Sequence, residues 1–218
     1  MTEAKFKLTE ETINVNGKTL YRIEALKDFG YIKKGDKGGF VEKEENLSQS
    51  GDCWVYDNAK VYNNAKVFDN ADIYGNASIF GNAVVSGNAR VYGNAWVYHY
   101  AMVYEDAEVY DNAIISGNAE VYHNAAVYGN ARVFGNAEIC GKAEIANDLD
   151  YIVFKNWWSS GRYFTWTRSN NMWKVGCFYG TSNELIEKAY RDSNESGKEY
   201  EKIVKYVESM LKDDNAVA

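Results

Sequence analysis

Two histidines, a cluster of tryptophan and arginine, and three cysteines are the residues of this chain whose types could do chemistry. His123 follows Glu105 by eighteen residues, and a carboxylate held beside an imidazole would orient it as a general base. His99 stands in VYHYAM, a stretch that breaks the formula of its neighbours. Further on come Trp157, Trp158, Arg162, Trp166, Arg168, Trp173 and Lys174, with four tryptophans inside seventeen residues. Rings that stack on bases and cations that meet phosphate make this mixture a candidate site for a nucleotide or another small anionic ligand. Strand alternation would put Arg162, Trp166 and Arg168 on one face, the arginines supplying charge and the ring a stacking surface. Cys53, Cys140 and Cys177 are odd in number, and spacings of 87 and 37 residues fit neither a disulfide framework nor a zinc motif. Reduced thiols, no metal and no cofactor are therefore expected.

The element that must position the histidines is a repeat. From Val55 the chain reads VYDNAK, VYNNAK, VFDNAD and onward to ICGKAE and a fading IANDLD, in sixteen hexads without an insertion. Position one is Val or Ile in all sixteen and position five is Ala in the first fifteen, so these two columns point inward. Position four is Asn in twelve of fifteen, a residue that accepts a left-handed backbone, and position three is mostly Gly or Asp. Each hexad is thus a short strand and a tight corner, and three hexads make one coil of a triangular prism. Stepping by eighteen, Tyr56, Tyr74, Tyr92, Tyr110 and Tyr128 form one outward ladder. On a second face Phe80, Trp96, Tyr98 and Ile114 form an apolar patch of the kind that marks an interface.

This frame resembles the hexapeptide repeat of left-handed β-helix proteins, [LIV]-[GAED]-x-x-[STAV]-x, over roughly 96 residues. The resemblance implies the left-handed winding, threefold assembly, and acyl transfer from an acyl-thioester cofactor with a corner histidine as base. His123, paired with Glu105, and His99 are the positions that would serve. The chain departs from the pattern at position two, where Tyr or Phe occupies twelve of sixteen hexads. It also lacks the loop that covers substrate in those transferases. The stretch from Gly35 to Val55 resembles the entry segment of a bacterial and phage subset of the same proteins, often labelled transferases on fold alone, and reads as a cap over the first open edge.

The flanks are not repetitive. KFKL, INV and KTLYRIEAL read as hairpin strands, with Asn16-Gly17 as the turn between the last two. Val41 and Leu47 are six apart, so the coil begins there in irregular form. After Asp150, YIVFKNWW, RYFTWTRS and MWKVGCF read as three strands separated by turns at Ser160-Gly161 and Asn170-Asn171. Thr181 and Glu184 form a capping box ahead of a helix burying Leu185, Ile186, Ala189 and Tyr190, and Gly197 separates a last helix.

The 218 residues carry a net charge of −7, no proline, and a mean hydropathy of −0.49, which excludes a disordered chain and any bilayer-length apolar run. Residues 53–148 hold five cations against eleven anions, so duplex DNA is not an expected partner. MTEAKFKLTEETINVNG shows no basic region followed by an apolar one, and a cytoplasmic protein without a membrane partner is expected. The expected fold is mainly β: a hairpin and cap (1–52), a left-handed parallel β-helix of about five triangular coils (53–150), and a small α+β domain of β-meander plus two helices (151–218). The expected function is a non-catalytic binding protein on a homotrimeric scaffold, its Trp/Arg-rich terminal domain taking a protein partner or an anionic ligand, as in a phage-type inhibitor or a nucleotide-sequestering protein. The alternative is the acyltransferase.

Overall fold

With a β-branched side chain at every sixth residue and alanine four places on, a short strand can stack on its copy one coil later and leave no void. The computed structural model describes residues 4–158 and 160–216, and the chain divides into two units, Met1–Tyr151 and Ile152–Ala218. In the first, two-residue strands from Trp54–Val55 to Glu144–Ile145 pair in parallel at a spacing of eighteen, as in Arg90↔Glu108 and Val91↔Val109. The position-one side chains are buried in all sixteen hexads and the position-five alanines in the first fifteen, whereas Leu149 in the last is exposed. This is a parallel β-solenoid.

The coil starts ahead of residue 53, at Val41 and Leu47, as their spacing of six indicates. The strand Lys37–Val41 is antiparallel to the hairpin and also parallel to Lys60–Val61, through Phe40↔Lys60 and Val41↔Val61. Leu47 bridges Val67 on the next face. Each face therefore has six rungs, and the solenoid has about six turns instead of five and a third. Gly38 and Gly39 permit this entry, since a Cβ at either would lie 2.5 Å from a backbone carbonyl oxygen, that of Val55 or Ala59. The hairpin strands Phe6–Val15 and Lys18–Ala25 turn at Asn16 and Gly17, both with positive φ, and extend the first face at its edge. Trp54 is buried against Phe6 and Phe29.

At the corners the left-handed residue is position three, not the position-four asparagine. Positive φ recurs at Asp57, Asn63, Asp69, Gly75 and onward to Gly141. The asparagines instead bond one another from coil to coil. Asn76 Nδ2 donates to Asn94 Oδ1 at 3.3 Å, Asn94 to Asn112 at 3.2 Å and Asn112 to Asn130 at 3.3 Å, an amide ladder along one corner. Position three also explains its acids. The Asp57, Asp69 and Asp111 carboxylates accept the backbone N–H of Gly75, Gly87 and Gly129, one coil later. A donor that the tight corner leaves without a carbonyl is satisfied in this way.

The second unit begins as a meander of four strands rather than three: Tyr151–Lys155, Tyr163–Thr167, Met172–Val175 and Phe178–Gly180, adjacent in chain order. MWKVGCF is split by Gly176, whose φ is positive. Helix α1 (Ser182–Asp192) starts on the Thr181–Glu184 capping box. Helix α2 (Asn194–Ala216) follows after Ser193, so Gly197 lies inside it rather than before it. A Cβ there would stand 2.3 Å from the Tyr190 ring, which is why glycine is used at a helical position. Phe164, Trp166, Trp173, Val175, Leu185, Val204 and Val207 form the core of this unit.

Candidate functional site

The corner histidines are the candidates for catalysis. His123 Nε2 lies 3.4 Å from Glu105 Oε2, as the eighteen-residue step predicts. The same oxygen accepts the His123 backbone N–H at 3.0 Å. That second bond repeats the Asp57, Asp69 and Asp111 pattern, in which the donor is a glycine N–H. The place of Glu105 is therefore explained by the corner backbone, with or without an imidazole above it. Both side chains are about half exposed, so neither is enclosed. His99 is exposed at a corner and its ring tilts against Tyr98 at 4.6 Å. The two histidines stand in separate columns, 24 residues apart.

On the face that the hairpin extends, the structure assembles the predicted apolar patch. Trp96 pairs in register with Ile114 on one side and Ser78 on the other. Tyr62, Phe80 and Tyr98 stack at 5.1 and 4.8 Å, and the Trp96 ring meets Phe80 edge-on. The hairpin covers the start of this stack through Leu20, Ile13 and Val15, burying Tyr62. Beyond it Trp96 is 49% exposed, and Phe134, 59% exposed, follows after Ser116 in the same column.

The terminal unit separates its candidates. Trp166 and Trp173 are core residues, 1% and 0% exposed, with their Nε1–H groups on Asn171 Oδ1 and Ser182 Oγ. Neither offers a face to a ligand, so the expected ring between two arginines is corrected. The strand Tyr163–Thr167 is buried on both sides over Phe164–Thr167, and Arg162 and Arg168 lie just beyond its ends, exposed. Alternation along a short strand says which residues share a face but not which face is covered. Trp158 is half-buried against Phe164 and Tyr200, and Lys174 reaches the Gly176 carbonyl. Trp157 is 83% exposed and meets Trp158 edge-on.

Sequence reading missed a further set of contacts. A tyrosine at position two donates its hydroxyl to a carboxylate sixteen residues later: Tyr92 to Glu108 at 3.1 Å, Tyr104 to Glu120 at 2.8 Å and Tyr122 to Glu138 at 3.4 Å. Tyr56 makes the same bond to Asp72. Burial, then the neighbouring carboxylate, holds the Tyr56 and Tyr92 hydroxyls far above the ordinary phenol range, so they remain donors. The Tyr-to-acid spacing of sixteen was the available signal. Among the described residues no group of three His, Cys, Asp or Glu could hold a metal ion, and no helix is long and apolar enough to cross a membrane.

Two comparisons with known proteins bear on this repeat. A family model described as the YdcK beta solenoid repeat matches residues 85–99 and 89–105. Over 38 residues, 17% of this chain, the sequence is 42% identical to the Escherichia coli (strain K12) protein named Uncharacterized acetyltransferase YdcK, of which the match spans 12%. The repeat is accordingly of the β-solenoid type, and over this stretch it is similar to a protein that carries a transferase-type name.

Proposed function

We propose that the chain is a non-catalytic interaction protein whose solenoid self-associates, as a trimer, through the face carrying Phe80, Trp96, Tyr98 and Ile114. The observation that supports this most is the half-exposed Trp96 ring beside Phe80, Tyr98 and Ile114, since a large indole left in water on a rigid sheet is a cost that an interface removes. In this reading the terminal unit meets a protein partner or an anionic ligand through exposed Trp157, Arg162 and Arg168. Light scattering of the purified chain at micromolar concentration should return an oligomeric mass, and Trp96→Glu should reduce it to the monomer with the fold intact. A monomeric wild type, or an assembly indifferent to Trp96→Glu, would sink the proposal.

The second reading is the acyltransferase, favoured by the His123–Glu105 contact and by the name of the E. coli relative. Acetyl transfer to amine or hydroxyl acceptors, measured for the wild type, His123→Ala and His99→Ala, separates the two. On the interaction reading no histidine-dependent turnover is found. Loss of turnover in His123→Ala would favour the enzyme.

A further inference from the structure

The tyrosine ladder of the Trp54–Val55 face is broken at one end. Tyr74, Tyr92, Tyr110 and Tyr128 stack in parallel at 4.7, 4.9 and 5.1 Å, whereas Tyr56 meets Tyr74 edge-on at 6.3 Å and 88°. A hollow of about 350 Å³ opens where the stack breaks, lined by Tyr56, Asp57, Asp72, Tyr74 and Arg90. That volume suits a small organic molecule and is far larger than a bare ion needs.

The charge within it is unbalanced. Two carboxylates share the hollow with one guanidinium, and Arg90 also pairs with Glu108, Nη1 and Oε1 3.1 Å apart, while Asp57 accepts the Gly75 N–H and Asp72 the Tyr56 hydroxyl. Burial raises the Asp72 carboxyl above the ordinary range, and Asp52 adds to the rise, although the Tyr56 hydroxyl and Arg90 both act the other way. Asp72 thus carries a desolvation penalty that its present partners do not offset. The negative faces of tyrosine rings attract cations, and the solenoid segment around them is acidic overall.

From this geometry we infer that the Tyr56–Tyr74 hollow binds an organic ammonium group, the cation set against Asp72 and Asp57 with its carbon chain along the rings. The site is on a different face from the proposed self-association surface and does not depend on it.

Titration calorimetry with putrescine on the full chain tests the site, with 1,4-butanediol as the uncharged analogue and acetate as the anionic one. Putrescine should bind and the diol and acetate should not. Asp72→Asn, which keeps the side-chain shape, should weaken binding about tenfold, a loss of about 1.4 kcal/mol, with no fall in melting temperature. Tyr74→Leu should weaken it by a few-fold through the lost ring face. No heat from putrescine at millimolar concentration, equal binding of the diol, unchanged affinity in Asp72→Asn, or preferential binding of acetate would each overturn the inference.

Discussion

Ala95→Leu is expected to lower the stability of the solenoid unit more than any single change on its outer faces. Ala95 has no solvent exposure, its column neighbours Ala77 and Ala113 are as fully enclosed, and its N–H bonds the Tyr92 carbonyl at 3.3 Å. Three added carbons have no free volume to enter, and overpacking of a closed core costs about 1–3 kcal/mol, the higher figure being apt where backbone surrounds the site. Phe134→Ser, at an exposed position, should fall within about 0.5 kcal/mol of wild type. Tyr92→Ser should lie between them, since it loses two stacked rings and the Glu108 bond. Guanidinium melts of the three would check the order. An Ala95→Leu chain as stable as Phe134→Ser would mean that the alanine column does not face a packed interior.

The other large effect belongs to the terminal unit. Trp166→Ala should cost about 3–5 kcal/mol, the usual range for emptying a buried indole, and also removes its bond to the Asn171 amide oxygen at the turn. For a unit of this size that is a large part of the total stability. Trp157→Ala, on a ring in water, should change stability by less than about 0.5 kcal/mol. Near-UV circular dichroism and denaturant melts of both variants decide the matter. A Trp166→Ala unit that stays folded with only a binding defect would restore this ring to a ligand site.

What the sequence made legible was the repeat, because a β-branched residue at every sixth place has one physical use. The inward columns, the stacked ladders, the register of Trp96 with Ile114 and the Glu105–His123 contact all follow from counting by eighteen. The start of the coil was legible in part: Val41 and Leu47 hold the rung positions that their six-residue spacing indicates, but Gly38 and Gly39 act through close approach of backbone that no local pattern encodes. Asn was given the left-handed role because its propensity allows it, yet Gly and Asp at position three took that conformation and left Asn for amide ladders. In the terminal unit, composition identified tryptophan and arginine but not their exposure. Whether Trp166 faces solvent depends on which side of the sheet α1 and α2 cover, a tertiary fact outside the alternation of a five-residue strand.

The amide ladder, the ring stacks and the corner carboxylates all join residues eighteen apart, which gives this chain something like a reading frame. Loss or gain of eighteen residues, three hexads, would return every later side chain to its own column, and the solenoid would only be shorter or longer by a rung. Loss of six would be a frameshift: Tyr110 and Tyr128 would leave the stack begun by Tyr74 and Tyr92 and emerge on the neighbouring face, although every hexad remained a good strand and corner. Lineages of such proteins can thus change length in whole coils while keeping their surfaces, and any family member out of step by one hexad would present a different face to its partners.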